Sequence, residues 1–239
     1  MPRRGREAAV GVGLVGLYAA FWRLDRSDWK LDEAEYARAG WSLVHGHGDP
    51  NYGHPPLAKL AYGAAQALLG QGATSVRLVA ALGFLASAVV LFLLGRKMAG
   101  WWTGVVAAGL FVVVPRTMVV GRYQVADLRI DRYGMLESVA GPLVIGAVAC
   151  GWWWITGGSR RWALAAGALG GLAAAAKLSA GAVLAVVVAV ALAYGWGRRA
   201  VWFEAAGAVA AALVAFLLPF AAYGSGAADK LREVLRFPG

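Results

Sequence analysis

Residues 31–60 read LDEAEYARAGWSLVHGHGDPNYGHPPLAKL, an island of ionisable and turn-forming residues with long apolar sequence on both sides. Charged side chains next to membrane-spanning sequence are costly and are seldom placed there for stability alone. The 239-residue chain as a whole is extremely apolar, with 60% hydrophobic residues, 15% charged residues and 33 glycines. That composition excludes a soluble domain and describes a polytopic membrane protein. A bilayer core takes roughly 20 apolar residues per helix. Runs of that order, bounded by charge, fall at 8–22, 76–94, 101–115, 133–155, 162–176, 179–196 and 201–223. The expected fold is therefore all-α, a single transmembrane domain over 1–239 with about seven spans.

The stretch 162–196 contains no polar loop. As one straight helix it would extend about 50 Å, well beyond a bilayer. It must fold back, and its one polar point, Lys177-Leu178-Ser179-Ala180-Gly181, is the predicted turn. Gly167 and Gly171 precede the turn at four-residue spacing, which permits close helix approach in lipid; plain composition bias would give the same pattern.

Compact basic clusters occur at every second boundary: Arg3, Arg4 and Arg6, then Arg96 and Lys97, then Arg160 and Arg161, then Arg198 and Arg199. Those ends are expected on the cytoplasmic side of the cell membrane, with the amino terminus inside. Tryptophans such as Trp101, Trp102, Trp153, Trp162 and Trp196 crowd the same boundaries, as interfacial indoles do. A plain tally of Lys and Arg favours the opposite orientation, but all acidic residues except Glu7 and Glu204 sit with those other cations and offset them. The first segment has a basic head and an apolar run with Arg23 directly after it, and reads as an uncleaved signal anchor. Cys150 is the single cysteine, so an intramolecular disulfide and a cysteine metal cluster are excluded. The net charge of +10 is dispersed among loops between helices. This points to anionic lipid headgroups rather than nucleic acid.

The loop at 23–75 is much longer than the other connections, and long ordered loops in compact proteins tend to carry function. Within it Leu31, Ala34, Ala37, Trp41 and Val44 recur at helical spacing, predicting an amphipathic helix on the membrane surface. Asp32 and Tyr36 share a face of that helix, while Glu33 points elsewhere. A second surface helix is expected from Pro55 or Pro56 to about Gly70, because proline suits a first turn. Asp32 followed by Glu35 also matches a capping box, so Asp32 reads either as a helix cap or as a base. In the second role it would deprotonate an acceptor hydroxyl while nearby cations hold a lipid phosphate. His45, His47 and Asp49 form a weak metal-ligand pattern; Gly46, Gly48 and Pro50 among them favour a plain turn.

The pattern LDEAEYARAGWSL…GHPPLAKL resembles the first outer loop of the protein O-mannosyltransferases and related polyprenyl-phosphate-sugar glycosyltransferases of GT-C fold. RYGMLESVAGPLVI (132–145) is similar to the family's arginine-containing segment that opens a later span, with Glu137 in place of the usual Asp. AAKLSAG (175–181) is similar to its lysine after a glycine- and alanine-rich helix. The resemblance implies an inverting transfer of a sugar, mannose-like or other, from a polyprenyl-phosphate donor to a hydroxyl acceptor on protein, glycan or lipid, at the extracytoplasmic face.

On the same resemblance Asp32 is the general base and Glu33 positions the acceptor or tunes Asp32. Tyr36, His54, Lys59, Arg122, Arg129, Arg132, Glu137 and Lys177 form the substrate-binding set. The leaving phosphate needs cations and no general acid. No cofactor is required, and a divalent metal is not supported by the pattern. Several of these residues also have a plainer reading: the arginines as an ion-pair loop with Asp127 and Asp131, Glu137 as a partner of Arg132, Lys177 as a snorkelling side chain. Residues 224–239 form a short amphipathic tail, with Leu231, Val234 and Leu235 against Lys230, Arg232 and Arg236. Members of the family continue further, so the expectation includes a truncation point there or a partner subunit supplying the rest. The alternative function is a noncatalytic GT-C-like subunit that binds a polyprenyl phosphate or a partner protein. A small-solute transporter is disfavoured, because no inverted repeat is visible and the charge lies at one face.

Overall fold

A computed structural model describes residues 3–22, 24–25, 29, 32–114, 116–120, 123–127 and 133–236. Each expected span coincides with a helix: α1 (Arg3–Phe21), α4 (Ala73–Ala99), α5 (Trp101–Val113), α6 (Leu136–Gly157), α7 (Arg160–Ala176), α8 (Ala182–Tyr194) and α9 (Arg199–Leu217). The two surface helices are α2 (Glu33–Val44) and α3 (Leu57–Leu69), and a last helix, α10 (Ala227–Arg236), closes the described chain. By length and composition α4, α6 and the region from Arg199 onward are long and apolar enough to cross a membrane. At 13 residues each, α5 and α8 are shorter, reaching about 20 Å of the roughly 30 Å apolar core. The segment expected as a loop after α5 forms a small antiparallel pair, β1 (Arg116–Val120) and β2 (Tyr123–Asp127), with Arg116 opposite Asp127.

The fold-back at Lys177 is present: α7 ends at Ala176, Leu178–Gly181 form one 3-10 turn, and α8 starts at Ala182. The paired glycines of α7 serve packing, and their partner is α9. A methyl group on Gly167 would lie 2.0 Å from the Ala208 carbonyl oxygen, and one on Gly171 would lie 2.1 Å from that of Ala212. The same device joins α2 to α3, where a methyl on Gly63 would meet the Gly40 carbonyl oxygen at 2.1 Å. In α6, Pro142 has no N–H to give the Ser138 carbonyl. It is against this carbonyl that α4 brings Gly83, where a methyl would sit 2.4 Å from the oxygen.

Alternation of helix direction sorts the chain into two ends. At one, the Trp101 indole donates to the Gly5 carbonyl at 2.7 Å and Arg96 lies over the Trp101 ring; the basic pairs at the α6–α7 and α8–α9 junctions fall at helix ends of the same sense. At the other end lie α2, α3, the start of α6, the α7–α8 turn and α10. The buried face of α2 differs from expectation. Glu33, Tyr36, Ala37, Gly40 and Leu43 face inward, whereas Val44 is exposed. Apolar spacing misjudged the phase because an ion pair of Glu33 and the glycine crossing set the rotation. The tail differs too: Val234 and Lys230 are buried and Leu235 is exposed.

Glycine packing against α9 gives a direct test. Gly171→Ala should cost about 1–3 kcal/mol through overpacking, read as a lower thermal midpoint of the detergent-solubilised protein. Gly141→Ala, where nothing lies within 4 Å of the added methyl, should leave the midpoint unchanged or slightly raised.

Candidate active site

Four chain segments converge on a cavity of about 220 Å³. The start of α2 contributes Asp32 and Tyr36, the turn before α3 contributes Gly53 to Pro55, the start of α6 contributes Met135 to Glu137, and the α7–α8 turn contributes Lys177 and Leu178. A second cavity of about 270 Å³ lies among α1, α4 and α5, and no ionisable side chain lines it. Of the expected site residues, Asp32, Tyr36, His54, Glu137 and Lys177 all line the smaller one.

Asp32 stands at the N-cap position of α2, yet its side chain makes no capping bond. It is exposed and lines the cavity, so of its two readings the cap is not the one its carboxylate performs. Tyr36, one turn on, is buried and meets the His54 ring edge to face, with centroids 5.6 Å apart. Burial, and then the negative charges of Asp32, Glu137 and Glu35, push the Tyr36 phenol up. It stays a protonated hydroxyl beside the carboxylate. Burial and then the positive charge of Lys59 lower the His54 ring below its ordinary value. His54 is therefore a neutral imidazole at pH 7.

Glu33 does not line the cavity. Its carboxylate is wholly buried and receives the Arg77 guanidinium two-fold, Nε to Oε1 at 2.9 Å and Nη2 to Oε2 at 2.7 Å. It also accepts the Gly134 N–H at 2.9 Å, and Arg77 donates onward to the Leu24 carbonyl at 2.9 Å. A methyl on Gly134 would strike Val76 at 2.1 Å, so only glycine lets the backbone come that close. Tyr62 fixes the next residue, donating to the Met135 carbonyl at 2.6 Å. Glu33, expected to position an acceptor or tune Asp32, is held by these bonds as an anchor that joins α2, α4 and the entrance of α6, one residue from Asp32.

Lys59, expected in the substrate-binding set, is likewise enclosed. Its ammonium is buried, and its three donors go to Asp49 Oδ2 at 2.6 Å, the Asn51 carbonyl at 2.7 Å and the His54 carbonyl at 2.8 Å. An ammonium has three donors and no more, so none remains for a phosphate. Burial drags it down, against the pull of Asp49, to about 8. Lys177 is the opposite case: half-exposed in the cavity wall, it donates to Glu137, itself well exposed. Such a surface pair is worth only about 0–1 kcal/mol and an anion can replace it cheaply.

Arg122, Arg129 and Arg132 lie outside the described residues. The weak metal pattern does not assemble: His45 Nδ1 bonds the Trp41 carbonyl at 2.8 Å, Asp49 faces Lys59, and no metal-holding group of three His, Cys, Asp or Glu exists among the described residues. Sequence reading gave no site role to Arg77, Asn51, Tyr223 or Lys230. Arg77 carried a signal, being a charge inside the predicted span 76–94; the other three carried none.

The architecture is GT-C-like. The chain superposes on ArnT from Cupriavidus metallidurans bound to undecaprenyl phosphate with a TM-score of 0.70, at 19% identity, covering 96% of this chain and 43% of that one. The apo form of the same protein gives 0.65 at 18% identity. In sequence, the chain is similar to the polyprenol-phosphate-mannose protein mannosyltransferase of Mycobacterium tuberculosis, strains CDC 1551 and H37Rv, at 29% identity over 169 residues. That match takes in 62% of this chain and 32% of the relative, so the chain spans about a third of the length of the curated relatives it matches. No family model matches the chain. Fold and sequence thus meet on the resemblance first visible in the outer loop.

Two measurements follow from this geometry. Arg77→Met leaves the buried Glu33 charge without its guanidinium and should destabilise the protein by about 3–5 kcal/mol, much of it recovered in Arg77→Met/Glu33→Leu. In a histidine-labelled sample, His54 should titrate below its ordinary 6.5. The unfolded chain then binds more protons between that midpoint and 6.5, so stability rises with pH across the interval and is lost as pH falls through it.

Proposed function

We propose that the protein is a glycosyltransferase that moves a sugar from a polyprenyl-phosphate donor to a hydroxyl acceptor at the extracytoplasmic face of the cell membrane, with its amino terminus in the cytoplasm. The observation that carries this reading is the meeting of Asp32 and Lys177 in one cavity, a proton acceptor and a displaceable cation supplied by segments some 145 residues apart. Support comes also from the similarity to a polyprenol-phosphate-mannose mannosyltransferase and from the fold shared with a protein solved with undecaprenyl phosphate.

In the proposed step Asp32 takes the proton of the acceptor hydroxyl as that oxygen attacks the anomeric carbon. The carbon–oxygen bond to phosphate breaks on the opposite side, its electron pair stays on the phosphate, and the configuration inverts. Lys177 exchanges Glu137 for the phosphate and stabilises the charge growing there. His54, neutral and fixed by its backbone, offers a ring N–H to the headgroup, and the Tyr36 hydroxyl steadies the acceptor or the sugar. No cofactor enters this scheme. The cavity lies below the roughly 300–1,000 Å³ that encloses a drug-sized ligand, so it takes a headgroup with the start of the first isoprene units and leaves the rest of the isoprenoid chain outside.

Asp32→Asn should lower transfer from a polyprenyl-phosphate sugar by roughly 100- to 10,000-fold while binding of the lipid phosphate is kept. Lys177→Met should instead weaken that binding by about 1.5–3 kcal/mol, ten-fold or more in Kd. Both are read in nanodiscs, transfer by radiolabelled sugar and binding by native mass spectrometry. Transfer by Asp32→Asn at the parent rate overturns the base assignment and leaves a lipid-binding subunit as the better reading.

A further inference from the structure

We infer that α10 is a clamp on the loop between α2 and α3, and that Lys230, Tyr223 and Asp49 are positioning residues for the proposed transfer. The inference rests on the reading of the cavity given above.

Residues 47–56 have no helix or strand, yet Asp49 and Asn51 in that stretch are buried. Buried carbonyls without a ladder need other donors, and here two lysines provide them. Lys59 of α3 holds the Asn51 and His54 carbonyls. Lys230 of α10, itself only 2% exposed, donates to the Tyr52 carbonyl, reaches the Asn51 carbonyl at 3.4 Å and stands 3.2 Å from Asp49 Oδ2. Its ammonium also lies over the Tyr52 and Tyr223 rings, 4.6 and 5.5 Å from their centroids. The Tyr223 hydroxyl donates to the same Asp49 oxygen at 2.5 Å.

Asp49 is thus the shared anchor: one oxygen takes Lys59, Lys230 and Tyr223, and the other takes the Asn51 N–H at 2.9 Å. Asn51 continues the chain of bonds to α2 through Glu35 at 2.5 Å. Gly53, His54 and Pro55, the next residues, are one wall of the cavity. Two ammonium groups on one buried carboxylate are a poor way to gain stability. Burial lowers both lysines, against the pull of Asp49, and well-packed apolar side chains of similar volume usually serve as well or better. What the charged arrangement does provide is direction: each donor meets one particular carbonyl, which fixes where the His54 ring stands.

The test is hydrogen exchange of the full chain in nanodiscs, joined to binding of polyprenyl phosphate by native mass spectrometry. Lys230→Met should raise exchange over residues 47–54 by about ten-fold, the equivalent of 1.4 kcal/mol of local opening, while α6 and α7 keep the parent's protection. Affinity for polyprenyl phosphate should fall several-fold, and Lys230→Arg should restore most of both. Tyr223→Phe, which removes one hydroxyl and little volume, should move both readouts in the same direction by less. Parent-like exchange in both Lys230→Met and Tyr223→Phe overturns the clamp. Faster exchange with parent affinity overturns the positioning role alone. Absence of polyprenyl-phosphate binding by the parent counts against the donor reading, and the exchange measurements still decide the clamp.

Discussion

A charge buried next to a bilayer must find its partner inside the protein, and the Glu33–Arg77 pair is where this protein meets that demand. Removing either group would strand the other in a place water does not reach. The pair holds three elements that are far apart in sequence, because the Glu33 carboxylate takes Arg77 of α4 and the Gly134 N–H ahead of α6. Its geometry also decides what its neighbour does. With Glu33 turned inward, Asp32, one residue earlier, is left at the mouth of the cavity.

Burial likewise divides labour among the cations. Lys59 and Lys177 look alike as sequence, each a lysine at the edge of an alanine-rich helix. Lys59 is enclosed with all its donors spent, so it shapes a loop. Lys177 sits on a solvated pair with Glu137 that a phosphate can replace. The two lysines differ in how much water each has left and not in chemical type, and on the proposed reading that difference separates a structural lysine from one that meets the phosphate.

This contrast explains how far the sequence could be read. Helix existence and the α7–α8 turn follow from local facts, apolar run length and one polar interruption, and the helices appear where those facts put them. The glycines of α7 could be read as a close-packing device or as composition bias, and it is the contact with the Ala208 and Ala212 carbonyls of α9 that decides for packing. The inward face of α2, the anchoring role of Glu33 and the spent donors of Lys59 were not legible, since each depends on groups distant in sequence: Arg77 and Gly134 for Glu33, Tyr223 and Lys230 around Asp49. Arg77 is the instructive case, because a guanidinium near the start of a span announces a buried partner without saying which of the loop's carboxylates supplies it.

The cavity's lining carries the last step. Its polar side is Asp32, His54, Glu137 and Lys177, and its other side is Met135, Leu136 and Leu178. A site for a free sugar phosphate would have no use for that apolar half, and a site for a lipid chain alone would not tolerate the charged one. A polyprenyl phosphate presents both characters within a few bonds, at the junction of its phosphate and its first isoprene units. On the proposed reading, the cavity is matched to that junction: Lys177 meets the charge, the methionine and leucines meet the start of the hydrocarbon, and the remainder of the chain lies along the helices in the bilayer. The sugar then points toward the exposed Asp32, the position from which a hydroxyl of an incoming acceptor can be deprotonated as it attacks.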